Sequence, residues 1–131
     1  MDRKSFLQRV LSVFSGIVLS QNILSAENTK RQDILLLQTN IAGYQYYNGK
    51  KVEKYFNKGD LLKLKLQEDN PYDSNAVEIY FQDVKIGYLP RYDNEVIANL
   101  LREEKQIYAK IDEFMPHNQD WNKVSVAVYM G

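Results

Sequence analysis

The sequence predicts a mainly β fold: a small six-stranded antiparallel barrel, OB-like or SH3-like, with one principal α-helix covering an open end and an N-terminal leader helix ahead of it. Three observations carry that prediction. Leu62, Leu64 and Leu66 alternate with Lys63 and Lys65, and Val77, Ile79 and Phe81 alternate with Glu78 and Tyr80. This is the period of strands with one face buried and one wet. Turn formers punctuate the chain at Asn48-Gly49, Lys58-Gly59-Asp60 and Asn70-Pro71, at spacings suited to short strands. The clearest helical spacing runs from Asp93 to about Glu104.

The chain divides at its start. Asp2-Arg3-Lys4-Ser5-Phe6-Leu7-Gln8-Arg9 is a positive segment, and Val10 to Leu19 is an uncharged, mildly apolar run. The run is short for a bilayer span and has the form of a secretory signal, with Leu24-Ser25-Ala26 as the small-residue cleavage site. Arg3-Lys4-Ser5-Phe6-Leu7 is similar to a twin-arginine signal, with lysine in place of the second arginine. Residues 1–26 are therefore expected to be an export leader to the periplasm; the alternative is an N-terminal helix on a cytoplasmic protein. Residues 27–33 are polar and read as a linker, and residues 34–131 as the domain.

Within the domain, Ile34 to Ala42 reads as a first strand and Gly43 as its end or bend. Lys50 to Phe56 suits a short helical turn. Val77–Phe81 and Val84–Leu89 form a hairpin about Gln82-Asp83. Gly87, inside the second of these strands, signals a bulge or the close approach of another group to the backbone. Asp93 is expected to cap the helix, with Glu95 in its first turn and Val96, Ile97, Leu100 and Leu101 as its apolar stripe. Ile107, Ala109 and Ile111, and then Val124, Val126 and Val128, alternate as the last two strands.

Composition narrows the function. Of 131 residues, 17 are basic and 17 acidic, so the formal net charge is zero, unlike that of a strongly basic nucleic-acid binder. Removal of residues 1–26 leaves 14 basic and 16 acidic side chains, a net charge of −2. There is no cysteine and one histidine, His117, so neither a disulfide nor a zinc site is expected and no cofactor is implied. No glycine-rich phosphate loop or serine elbow occurs. The neighbouring Glu68 and Asp69 have nothing to separate their pKa values as an acid/base pair. A binding protein, not an enzyme, is the expectation.

The residues suited to binding surround two motifs. Asn70-Pro71-Tyr72-Asp73-Ser74-Asn75-Ala76 is a loop whose amide and carboxylate side chains suit backbone-pinning hydrogen bonds as well as ligand contacts. Ile86-Gly87-Tyr88-Leu89-Pro90-Arg91 follows one strand later. Tyrosine, with 10 copies, is the compositional outlier, and Tyr46, Tyr47, Tyr72, Tyr88 and Tyr92 all flank these motifs. Aromatic rings beside amides and a cation form a platform on which single-stranded nucleic acid stacks. Arg91 suits phosphate neutralisation, with Lys85 or Lys51 as candidate helpers. Structural roles remain open for the tyrosines, since aromatics favour strands, and a solvated-face role for Lys63 and Lys65.

Gly43-Tyr44-Gln45-Tyr46-Tyr47, Gly59-Asp60 and the two motifs, in that order, resemble the HIRAN domain, over about Leu35 to Tyr129. The family occurs at the N-terminus of certain Swi/Snf-type ATPases acting on stalled replication forks and as free-standing bacterial proteins. In the fork-remodelling enzymes the domain captures the 3′ end of single-stranded DNA. The resemblance implies that Tyr46 and Tyr47 match the paired tyrosines of the DNA pocket, and that Asn70 and Asp73 match the residues holding the terminal nucleotide. Tyr88 stands where a histidine is found and Arg91 where a lysine is found. Gln45 stands where DNA-binding members carry an arginine, and loss of that cation lowers phosphate affinity. The expected partner is thus single-stranded or 3′-ended DNA. The alternative is an exported domain whose same pocket takes a peptide, a glycan or a partner protein.

Overall fold

Alternation of apolar and polar residues builds six strands, and the computed structural model describes them across residues 32–131. The expected leader, and all but the last two residues of the expected linker, lie outside the described residues. The strands are β1 (Ile34–Asn40), β2 (Leu61–Leu66), β3 (Val77–Phe81), β4 (Val84–Tyr88), β5 (Ile107–Phe114) and β6 (Val124–Met130). They form one antiparallel sheet in the order β1-β6-β5-β2-β3-β4. Two α-helices join them, α1 (Gly49–Val52) and α2 (Glu95–Arg102), with single 3₁₀ turns at Tyr44–Tyr46, Glu53–Tyr55, Arg91–Asp93 and Asp120–Asn122. Among the described residues, no helix is long and apolar enough to cross a membrane.

Strand β2 is the hinge of the sheet. Leu61 and Leu62 pair with β5, whereas Lys63 to Leu66 pair with β3. The inward residues of both halves, among them Leu62, Ile79, Ile86, Ile111 and Val126, meet in one core with Ile97 of α2. Burial of such side chains contributes about 1.5–3 kcal/mol each.

The expected closed barrel is corrected. The edge strands β1 and β4 share no ladder. One bridge joins the two ends, between Ala42 and Tyr88, with Ala42 N donating to Tyr88 O at 2.8 Å and Tyr88 N to Ala42 O at 2.9 Å. The reason is local: Gly43, at φ 71°, turns the chain out of its extended path immediately after Ala42, and the 3₁₀ turn at Tyr44–Tyr46 replaces any further pairing. Gly87 makes the bridge possible. Its backbone lies against Ile41 and Ala42 with no room for a side chain, the close approach that a strand glycine signals.

The helix prediction needs two corrections. Asn94, not Asp93, occupies the N-cap position of α2, and its side chain makes no cap hydrogen bond. Asp93 instead accepts a hydrogen bond from Thr39 Oγ1 at 2.9 Å. Val96 is 65% exposed, and the buried pair is Ile97 and Ala98.

Candidate nucleic-acid interface

The loop between β2 and β3 is pinned by its own side chains. Gln67 N donates to Ala76 O at 2.8 Å and Ala76 N to Asp73 O at 3.1 Å, closing the loop at its base. Asn70 Oδ1 accepts from the backbone N–H groups of Tyr72 at 2.8 Å and Asp73 at 3.1 Å. Asp73 Oδ1 accepts from Asn75 N at 2.9 Å, and Asp73 Oδ2 from Asn94 Nδ2 at 2.8 Å. These are side-chain turns of the kind Asn and Asp favour, and Asn94 ties the loop to the start of α2.

A cleft of about 230 Å³ opens over this loop. Its floor is apolar, from Ala42, Ala76 and Leu89; its walls are Asn70, Tyr72, Asp73, Tyr88, Arg91 and Asn94. Four residues singled out in the sequence, Asn70, Asp73, Tyr88 and Arg91, therefore share one cavity. Arg91 spans its mouth: one guanidinium nitrogen donates to Tyr72 O at 2.9 Å, and Nε lies 3.9 Å from Asp73 Oδ2.

Tyr47 adjoins the cleft through Tyr88, the two rings meeting edge to face at 5.7 Å. Lys85 Nζ lies 4.5 Å from the Tyr47 ring centre and 4.2 Å from that of Tyr88, so one cation is shared by both π faces. Tyr46 is not in the cleft wall. The residue is 77% exposed, and its ring flanks Gly43 together with that of Tyr47, one residue from Ala42 in the floor. Gln45 and Lys51 are exposed.

A hydrogen-bond chain joins the two walls. Lys85 Nζ donates to the Tyr88 hydroxyl at 2.8 Å, the hydroxyl donates to Gln67 Oε1 at 2.6 Å, and Asn70 Nδ2 donates to the same oxygen at 3.0 Å. Lys85 also pairs with Glu78 at 2.9 Å. Desolvation lowers the Lys85 pKa, but its hydrogen bonds to Tyr88 and Glu78 and the Glu78 charge outweigh it, and the net shift is upward. For Asp73, desolvation pushes the pKa up. The hydrogen bonds from Asn94 and Asn75 and the Arg91 charge pull it down further, so the carboxylate titrates below its ordinary range.

Sequence reasoning missed Gln67 and Asn94. Gln67 continues the wet positions of β2 and carries no local signal. Asn94 did have one, as a polar residue at the start of a helical pattern, yet at 3% exposure its partner is a carboxylate 21 residues away. Among the described residues no group of three or more His, Asp or Glu side chains is arranged to hold a metal ion.

No curated protein matches this chain. Two solved structures share its fold. A protein from Lactobacillus plantarum is 21% identical, with a TM-score of 0.67, over 76% of this chain and 95% of that one. The HIRAN domain of human HLTF is 20% identical, with a TM-score of 0.53, over 75% of this chain and 76% of that one. Residues 34–130, which hold the whole sheet and every wall of the cleft, match the HIRAN domain, and the chain belongs to that family.

Proposed function

We propose that this HIRAN domain is a non-catalytic module that receives the 3′-hydroxyl end of single-stranded DNA in the cleft, with Asn70, Asp73, Tyr88 and Arg91 around the terminal sugar and Tyr46 and Tyr47 beside its base. The observation that carries the reading is what the pinned loop leaves unspent. A primary amide has two N–H donors, and Asn70 uses one on Gln67. A carboxylate has about four acceptor positions, and hydrogen bonds from Asn75 and Asn94 take two on Asp73. A donor and an acceptor thus remain on one wall, the complement of a hydroxyl, which both gives and takes a hydrogen bond. A phosphate, acceptor only and negative, meets the Asp73 charge there. The capture of 3′ ends by the family's fork-remodelling members agrees with this chemistry.

The test is a fluorescence-anisotropy titration of paired oligonucleotides, one ending in a 3′-hydroxyl and its twin in a 3′-phosphate. The hydroxyl form binds about tenfold or more tightly, on the scale of one charge-assisted hydrogen bond gained and one repulsion avoided. Equal binding of the two, or none at low salt, rejects the reading. Asp73→Ala and Tyr47→Ala weaken binding of the hydroxyl form while the fold survives.

A second reading is favoured by charge. Residues 27–131 carry a net −2 and Gln45 supplies no cation, which suits a peptide or glycan ligand outside the cytoplasm. We propose residues 1–26 as an export leader from the positive segment at residues 2–9 and the uncharged apolar run at residues 10–19 that follows it. The mass of the protein taken from its native host separates the readings, because loss of Met1 to Ala26 marks an exported domain.

A further inference from the structure

The outer face of the β2–β3–β4 half carries a feature continuous with the cleft but outside it. Strand register sets Lys63 opposite Tyr80 and Lys65 opposite Glu78; Tyr80 stands opposite Lys85, and Glu78 opposite Tyr88. Residues directly opposite one another in an antiparallel pair share a face. The intervening Leu64, Ile79 and Ile86 are buried in the core, so this set lies on the opposite face, where Lys63 and Lys65 are exposed, Tyr80, Lys85 and Tyr88 half-buried and Glu78 covered by its neighbours. Glu78 spends its charge on Lys85. Lys63 and Lys65 are exposed and take part in no ion pair among the described residues. A depression of about 170 Å³ lies between them, lined also by Tyr80, Gln82 and Asp83.

We propose that this face is the track for the strand leading away from the captured 3′ end, with phosphates on Lys63 and Lys65 and a base against Tyr80. The proposal rests on the 3′-end reading for its starting point. Two unpaired cations flanking an aromatic ring are the elements that hold a single strand without reading its sequence. The track is also connected to the cleft: Tyr88 forms the cleft wall and faces Glu78, two residues along β3 from Tyr80. At the rise of a strand that is about 7 Å, the reach of one extended nucleotide. Asp83 at the far rim puts a negative charge where the track ends, which limits it to two or three nucleotides.

The experiment is an anisotropy titration of the full chain with oligothymidylates of two and eight residues ending in a 3′-hydroxyl, in the wild type and in Lys63→Ala/Lys65→Ala. The wild type gains about tenfold in affinity from the short to the long probe, the scale of one stacked base with its phosphates. The double variant loses most of that gain, binds the two-residue probe as the wild type does, and melts at the same temperature. Its slope of log affinity against log salt for the long probe is shallower by about 1.4, for two phosphates on a single strand. A length gain that survives in the double variant overturns the track, as does equal weakening of both probes. A 3′-phosphorylated eight-residue probe separates the two proposals. If it binds as well as the hydroxyl form and remains sensitive to the two lysines, the cleft reading fails and the track stands. If it is discriminated against while the lysines have no effect, the track fails alone. Displacement of the long probe by an equal concentration of polyglutamate assigns the face to acidic peptides and overturns it as a nucleic-acid track.

Discussion

Gly87→Ala tests how the cleft wall is built, and its cost follows from what an added methyl group would meet. At φ 154°, a Cβ on this residue would lie 2.4 Å from Ile41 Cγ2 and 2.7 Å from the carbonyl oxygen of Ala42. Neither neighbour yields cheaply. Ile41 is 1% exposed, and Ala42 O accepts a hydrogen bond from Tyr88 N. Relief means moving Ala42 away from β4, which breaks the pair of hydrogen bonds joining the two ends of the sheet. Over-packing costs about 1–3 kcal/mol, the strained backbone about 1–3 kcal/mol, and each lost hydrogen bond about 0.5–1.5 kcal/mol net. These overlap, because the shift that relieves the clash is the one that sacrifices the bonds. A loss of about 3 kcal/mol is therefore expected, well short of their sum. In a domain of this size 1 kcal/mol is worth about 4–8 °C, so Tm falls by about 12–24 °C. Tyr88 moves with the strand, so the preference for a 3′-hydroxyl over a 3′-phosphate shrinks as well. Urea unfolding followed by circular dichroism measures the first effect and anisotropy the second. A loss below about 1 kcal/mol with an unchanged m-value would refute the tight-approach argument.

Three further outcomes follow from the same geometry. Asn94→Ala removes a hydrogen bond to a charged acceptor in a buried position and costs about 2 kcal/mol in urea unfolding; the Asp73 carboxyl titration, followed by NMR, moves up towards its ordinary value. The lowered folded pKa of Asp73 means that its contribution to stability is full above the unfolded value of about 3.9 and is lost as pH falls through the folded one. The Tm advantage of the wild type over Asp73→Asn is thus complete at pH 6 and shrinks progressively as pH falls below about 4; an advantage unchanged between about pH 6 and pH 2 contradicts the assignment. Gln45→Arg places a cation on an exposed position next to Tyr46, raises oligonucleotide affinity several-fold at low salt, and steepens the salt slope by about 0.7 if it meets one phosphate.

What the sequence made legible was local. The strands β2 and β3 follow from alternation and β4 from the hairpin signal at Gln82-Asp83, while Gly87 announced a bulge or a close approach. The structure shows the close approach to Ile41 and Ala42 together with a register shift in the β3–β4 pair. What it hid depended on contacts between distant residues. Asp93 has the chemistry of a cap, but Thr39, 54 residues earlier, takes its carboxylate and leaves Asn94 to begin the helix. Barrel closure turned on where β1 stops, and that depends on the positive φ of Gly43, a residue equally consistent in sequence with a bend or an end. Tyr46 and Tyr47 both lie beside Gly43 but differ in their surroundings: the 3₁₀ turn leaves Tyr46 largely in solvent and sets the Tyr47 ring against Tyr88. Gln67 was unreadable because its role is to accept from two residues that only the fold brings together.

The pinned-turn and ligand-binding readings of Asn70 and Asp73 are not rivals once their hydrogen bonds are counted. The bonds that hold the loop consume the acceptor capacity of Asn70 and half that of Asp73. They fix the remaining donor and acceptors in one orientation, so a ligand that matches them meets groups whose ordering cost was met on folding. This bears on how a domain with no excess positive charge could hold a polyanion. Within the cleft Arg91 is the one cation of the wall, and Asp73 offsets it at 3.9 Å, so little counterion release is available there. Affinity at the 3′ end then comes from short, directed hydrogen bonds and stacking, which salt barely touches. Salt dependence is left to the unpaired lysines on the outer face of the sheet. A dinucleotide whose binding is nearly independent of salt, beside a longer strand whose binding is not, is the behaviour that this division of labour requires.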